Sequence, residues 1–168
     1  MNRYTVAVLV RNQFGVLNRV TSMFRRRQFN ISALTVSETE SNEFSRITVM
    51  FDGDELNKQQ LINQLYKLPD VCSIKELDND NSLSSELMLI KMQNEAATRD
   101  DILTAAQAFD AKTMEYSRDS IVFQLTGDSR KIDDFINLMR DYTILEICRT
   151  GIVSLEKGSS TIRKVTNL

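Results

Sequence analysis

The sequence of 168 residues contains no histidine and no tryptophan, and it has one proline, five glycines and two cysteines. Without histidine, the usual general base, the imidazole-assisted nucleophiles and the commonest metal ligand are missing. The motifs GxGxxG, GxxxxGK[ST] and CxxC are also absent. An enzyme that works through carboxylates alone stays open as an alternative, but no acidic pair stands out among the 23 acidic residues. The absences favour a non-catalytic protein with no metal site.

Charge and hydropathy limit the classes of partner and the cellular location that the sequence allows. Lysine and arginine total 21 against 23 acidic residues, and the pI is about 5.3, so no positive excess is available to bind a phosphate backbone. No apolar run approaches the ~18 residues of a membrane span, and the start enters a strand pattern without a signal peptide. The sequence therefore predicts a cytoplasmic protein that binds neither nucleic acid nor membranes. Cys72 and Cys148 lie in apolar strand patterns, which predicts reduced, buried thiols.

Hydrophobic periodicity predicts the element order βαββαβ in the first half of the chain. The predicted elements are a strand over 4–10, a helix with Val16, Leu17, Val20, Met23 and Phe24 at helical spacing, strands over 30–38 and 44–51, a helix capped by Asp54 with Leu56, Leu61, Ile62, Leu65 and Leu68 inward, and a strand over 71–77 that follows Pro69.

The same order begins again after the polar stretch 78–82. The predicted elements are a strand over 86–93, a helix that opens on a Thr98–Asp101 capping box and turns Ile102, Leu103, Ala106 and Phe109 inward, strands over 112–117 and 120–126 joined by an Arg118–Asp119 turn, a helix over 129–141 with Ile132, Phe135, Ile136 and Met139 inward, and a strand over 144–148. Residues 152–155 are expected to extend that last edge.

Each half fits a ferredoxin-like sandwich, in which two helices cover one face of a four-stranded antiparallel sheet. The predicted fold class is therefore α+β with two ferredoxin-like βαββαβ sandwiches. The predicted domains are residues 1–77 and 85–168, joined by a short linker over 78–84. Units this small bury little apolar area and leave sheet edges unpaired, so a homodimer is expected.

The segment between the first strand and the first helix carries the most informative loop chemistry. Gly15 stands where the chain must turn tightly or let a ligand approach the backbone. The N–H groups at a helix N-terminus carry partial positive charge, so the backbone of Gly15, Val16 and Leu17 could receive a carboxylate. Asn12 offers a donor and an acceptor to an amino acid, with Asn30 of a second copy as its counterpart. The alternative is structural: Asn12 caps the helix and Gly15 relieves backbone strain.

A resemblance to a known family begins at these residues. Asn12–Leu17 (NQFGVL) followed by Phe29–Ile31 (FNI) resembles the amino-acid-sensing ACT domain. Over the whole chain the sequence resembles the regulatory small subunit of acetohydroxyacid (acetolactate) synthase, through the segments 32–36 (SALTV), 45–48 (SRIT), 64–71 (QLYKLPDV) and 149–155 (RTGIVSL). The chain has Gln28 where relatives usually have glycine, and Ser85 where they have arginine.

This resemblance implies that the first sandwich is an ACT domain and that the second is the C-terminal domain of the small subunit. It implies a protein without catalytic residues that binds and activates a catalytic large subunit and confers feedback inhibition by valine, or by leucine or isoleucine. Thiamine diphosphate, Mg and FAD then belong to the catalytic subunit, and this chain binds no cofactor. The implied effector site lies between two copies and comprises Asn12, Gly15, Val16 and Leu17 of one with Asn30 and Ile31 of the other. A stand-alone amino-acid-sensing ACT protein with a different partner is the alternative.

Overall fold

A computed structural model describes residues 2–78 and 80–163, and these divide into two compact units. The first unit contains the residues up to Leu83 together with those from Val153 onward, and the second contains Ser84–Ile152. The predicted domains and linker also include residues 1, 79 and 164–168, which lie outside the described residues.

The first unit is built on a four-stranded antiparallel sheet in the order β2-β3-β1-β4. Its elements are β1 (Asn2–Arg11), α1 (Val16–Arg26), β2 (Ile31–Glu38), β3 (Phe44–Gly53), α2 (Glu55–Leu65) and β4 (Val71–Glu76). Alternate residues of the central strands, such as Val8 and Val49, pack with α1 and α2 in one core. The predicted βαββαβ order and ferredoxin-like sandwich are confirmed here.

Helix α2 begins where the sequence predicts, but the face that it buries in the core is narrower than predicted. Asp54 is its N-cap: its carboxylate accepts the Asn57 amide hydrogen at 2.7 Å, and its own amide donates to Asn57 Oδ1 at 3.2 Å. Leu61 and Leu65 are fully buried, whereas Leu56, which was predicted to face inward, is 70% exposed. That prediction is wrong because the five-residue step from Leu56 to Leu61 turns about 140° away from the same face at 3.6 residues per turn.

Gln28, which ends the turn after α1, occupies the left-handed region at φ 57°. That conformation costs a side-chain-bearing residue about 1–2 kcal/mol, whereas a glycine there costs about 0.5–1 kcal/mol in chain entropy. We therefore expect Gln28→Gly to raise the free energy of unfolding of the first unit by about 0.5–1 kcal/mol, as measured by urea denaturation. Gln28→Ala keeps the strain and is the matched control; an equal gain in both variants would contradict the argument.

The second unit repeats the architecture with strand order β6-β7-β5-β8. Its elements are β5 (Ser82–Gln93), α3 (Arg99–Ala108), β6 (Lys112–Tyr116), β7 (Ser120–Gly127), α4 (Ser129–Met139) and β8 (Ile144–Arg149). The core is formed by fully buried side chains from the strands and the helices, including Ile90, Phe123, Ile102 and Phe135. The second ferredoxin-like sandwich is therefore also confirmed.

Two local predictions in this unit have different outcomes. The Arg118–Asp119 turn is confirmed, because the Ser117 amide donates to Ser120 O at 2.8 Å across it. The capping box at Thr98 is wrong: Thr98 is the N-cap residue of α3, but within the described residues its side chain makes no capping hydrogen bond. Its ψ of −6° is helical, whereas capping side chains act from the extended region. Asp100 and Asp101 in the first turn supply negative charge instead.

The last strand, β9 (Val153–Glu156), does not extend the β8 edge as expected. It pairs with β5, whose first residues belong to the first unit. The segment from Val153 to Arg163 packs on the sheet face opposite the helices: Arg46 Nη2 donates to Ser154 O at 2.6 Å, and Lys75 pairs with Glu156. The division at Ile152 thus differs from the predicted domain 85–168, because an open sheet face bearing Leu9 needs an apolar cover.

The two cysteines are exposed free thiols, so the prediction that they are buried is wrong. Cys72 lies in β4 and Cys148 in β8, and each of these strands is at the end of its sheet order. The outer side of an edge strand faces solvent, so an apolar pattern in such a strand does not by itself ensure that every side chain is covered.

Candidate functional site

The turn after β1 is held by backbone bonds to two other parts of the first unit. The Arg11 amide donates to Asp70 O at 2.9 Å, before β4, and the Asn12 amide donates to Glu43 O at 2.7 Å, in the β2–β3 hairpin. The turn is therefore positioned by long-range contacts before α1 begins.

Gly15 is the N-cap residue of α1 and has φ 80° and ψ −1°, in the left-handed region. Within residues 2–78 and 80–163, no side chain caps this helix, and its first turn contains no acidic residue. The Asp54 and Asp128 carboxylates, in contrast, cap α2 and α4. The N-terminus of α1 thus keeps N–H donors and positive potential that an external carboxylate can use.

The Asn12 side chain is bound to the neighbouring hairpin and does not cap α1. Its Nδ2 donates to Glu38 Oε1 and to Asn42 O, each at 3.0 Å. Both amide hydrogens are thereby used, and the carbonyl oxygen is the atom left to accept a hydrogen bond from a ligand ammonium. The alternative in which Asn12 caps the helix is therefore wrong. The left-handed conformation of Gly15 is compatible both with a turn that binds a ligand and with simple relief of backbone strain.

The other predicted residues of the turn contribute in different ways. The Val16 side chain is 4% exposed and belongs to the core, so only its backbone faces the turn, where its amide donates a long hydrogen bond to Gln13 O at 3.3 Å. Leu17 is 43% exposed, and Phe14 is fully exposed. Arg19, which the sequence reasoning missed, lies beside Gly15: a Cβ built on Gly15 would be 3.3 Å from Arg19 Nη1. The spacing of four residues in a helix was the signal that could have found it.

Asn30 and Ile31 lie at the opposite end of the sheet from the Gly15 turn. Ile31 is paired with Phe51, which is paired with Tyr4 near the start of β1, whereas Arg11 is at the far end of that strand. Seven residues of extended strand separate these ends by about 24 Å at about 3.4 Å per residue. One chain therefore does not bring its own two predicted halves of the site together.

In the part of the chain that the structure describes, residues 2–78 and 80–163, no three acidic or cysteine side chains are grouped as metal ligands. None of its helices combines the length and the apolar composition needed to cross a membrane.

Comparisons with known proteins place both units in one family. Residues 6–73 match the model of the AHAS small subunit-like ACT domain, and residues 85–158 match that of the small subunit of acetolactate synthase. A probable acetolactate synthase small subunit from Archaeoglobus fulgidus is 41% identical, over 94% of this chain and 98% of its own length. The Bacillus subtilis acetolactate synthase small subunit is 40% identical, over 92% and 90%.

A solved structure agrees with these matches. The crystal structure of the acetolactate synthase small subunit from Thermotoga maritima superposes with a TM-score of 0.86 at 33% sequence identity, and the match covers 95% of this chain and 100% of that one. The chain belongs to the family of acetolactate synthase small subunits, the regulatory subunits of acetohydroxyacid synthase.

Proposed function

We propose that this chain binds and activates the catalytic large subunit of acetohydroxyacid synthase and confers feedback inhibition by valine, or by leucine or isoleucine. Family membership supports association with the large subunit. Thiamine diphosphate, Mg and FAD are assigned in this proposal to the large subunit, and catalysis to its residues. The observation that carries the effector site is the uncapped N-terminus of α1 behind a left-handed Gly15.

The effector site in this proposal is shared between two copies of the chain. Strand β2 is at one end of the sheet order, so its outer edge can pair with a second β2. Antiparallel pairing along the full strand, from Ile31 to Glu38, sets Ile31 of one copy opposite Glu38 of the other. Glu38 is the residue that holds Asn12. This arrangement brings Asn30 and Ile31 of one copy to the Gly15 turn of the other.

Each part of the shared site then has a chemical role. The effector carboxylate takes the N–H groups of Gly15 and Leu17, and that of Val16 joins them when its long bond to Gln13 O, 3.3 Å in the free chain, is exchanged for the ligand. The carbonyl oxygen of Asn12 accepts a hydrogen bond from the ammonium. The branched side chain packs between the exposed Leu17 and the half-buried Ile31 of the second copy. Binding thereby stabilises one arrangement of the two ACT domains, and the large subunit responds through its differential affinity for the two arrangements.

The test is acetolactate formation by the large subunit, measured with and without this chain at increasing valine, leucine or isoleucine. We expect the chain to raise the rate and to make it sensitive to at least one of the three amino acids. A typical coupling of about 1–3 kcal/mol corresponds to about 5–150-fold in affinity. Unchanged rate and unchanged sensitivity in a complex shown by gel filtration to be assembled would contradict the proposal.

A further inference from the structure

A cavity lies within the first unit, on the sheet face opposite the helices. It has a volume of about 560 Å³ and lies between the sheet and the segment formed by β9 and the residues that follow it up to Arg163. Leu9, Arg46 and Lys75 line it from the sheet, and Leu155, Ile162 and Arg163 line it from the segment. Its volume falls in the range of about 300–1,000 Å³ that is usual for small-molecule sites.

The cavity contains a guanidinium whose charge is only partly compensated. Arg46 is half-buried and donates from Nη2 to Ser154 O at 2.6 Å, which uses one of five N–H donors. Burial lowers the pKa of Arg46, and the nearby charge of Glu156 offsets this only in part. An additional negative charge in the cavity would therefore be favourable.

A second guanidinium in the same cavity has a donor without an acceptor. Arg163 Nη1 donates to Glu40 Oε1 at 3.0 Å, and the group lies 5.3 Å from the centre of the Phe44 ring. Its Nη2 is buried, and no atom of the described chain accepts a hydrogen bond from it. A buried donor left in this way is costly, so an acceptor supplied by a ligand would stabilise the site.

The acidic side chains of the cavity are already bound to partners within the chain. Glu156 accepts from Lys75 and from Ser160, Glu40 accepts from Arg163, and Glu38 accepts from Asn12. Each of these carboxylates thus already has a donor within the chain, whereas Arg163 Nη2 has no acceptor among the described residues. This balance favours an anion and disfavours a ligand that also carries an ammonium group.

We propose that this cavity binds a small organic anion with an aliphatic body, whose carboxylate is held by Arg46 and Arg163. The body lies against the apolar side chains of Leu9, Leu77, Leu155 and Ile162, which line the same space. The site is distinct from the Gly15 turn, although Glu38 is common to the walls of both. It does not depend on the proposed effector function.

The probe for this site is octanoate, titrated into the full chain by calorimetry and followed by NMR of labelled leucine methyl groups. Octanamide has the same body without the charge, and inorganic phosphate has the charge without the body. We expect octanoate to bind about tenfold or more tightly than octanamide, which corresponds to about 1.4 kcal/mol or more, and phosphate to show no saturable binding. The methyl signals of Leu9, Leu77 and Leu155 should shift together. Shifts confined to other leucines, or equal affinity for octanamide, would overturn the proposal.

Variants distinguish octanoate binding in the cavity from binding elsewhere on the surface. The double variant Arg46→Gln/Arg163→Gln should weaken octanoate binding about tenfold or more, and Arg46→Lys/Arg163→Lys should retain most of it because the charge is kept. Arg3→Gln is the matched control, because Arg3 is paired with Asp52 at 3.2 Å and does not line the cavity. Valine should not compete with octanoate. Competition by valine, or equal losses in the double variant and the control, would show that the assignment is wrong.

Discussion

Arg149→Ala should lower the free energy of unfolding of the second unit by about 3–5 kcal/mol, the usual cost of leaving a buried charge unpaired. Arg149 donates to the Glu86 carboxylate from Nε at 2.5 Å and from Nη2 at 2.9 Å, and Nη1 reaches Asp133 at 2.9 Å. The Glu86 side chain is only 2% exposed. The hydrogen bonds to Glu86 are the main reason that the pKa of Arg149 is raised. Urea denaturation followed by circular dichroism measures the loss.

Two further variants test the cause of this loss. Adding Glu86→Gln to Arg149→Ala removes the unpaired charge, so part of the stability should return. Lys91→Ala breaks an exposed pair with Glu146, whose atoms are 3.9 Å apart, and should cost no more than about 1 kcal/mol. If Arg149→Ala and Lys91→Ala cost the same, the burial of Glu86 does not control the stability of this unit.

Gly15→Asp should abolish most of the effector inhibition while the chain still activates the large subunit. A like charge about 4 Å away costs about 4 kcal/mol at an effective dielectric constant near 20. Even if only half of this repulsion acts on the bound carboxylate, the valine concentration that gives half-inhibition should rise about 30-fold. Asparagine and aspartate both tolerate the left-handed region, so Gly15→Asn is the matched neutral control. Its Cβ would contact only the flexible end of Arg19, at 3.3 Å. Equal valine sensitivity in the two variants would contradict a carboxylate at this turn.

Mixed dimers test whether the effector site is shared between two chains. In a dimer of one Gly15→Asp chain and one Asn30→Asp chain, both changes fall in one shared site and the other site is intact. Valine binding measured by calorimetry should therefore return in the purified mixed dimer, although each variant alone has lost it. A site built within one chain would remain damaged in both copies, and binding would not return.

Only part of the candidate site could be predicted from the sequence. The turn motif and Gly15 are local features, and a glycine that leads into a helix predicts a left-handed residue and free N–H groups without further information. Glu38 is separated from Asn12 by 26 residues, and no local pattern indicates that it holds the Asn12 amide. The place of Arg19 beside Gly15 follows from helical spacing, but its bond to Asp70 Oδ2, at 2.7 Å, depends on how α1 packs against the residue before β4.

The sequence by itself determined the order of the elements, the two similar sandwiches and the family, because periodicity, turns and motifs are local properties of the chain. Only the tertiary structure decided that residues 153–163 cover the first sheet, that both cysteines are exposed, and that Asn30 and the Gly15 turn are about 24 Å apart along the strand direction, at about 3.4 Å per residue. These facts depend on contacts between distant segments, such as Lys75 with Glu156, 81 residues apart. Such contacts follow from strand register and from the need to cover apolar faces, which local periodicity does not specify.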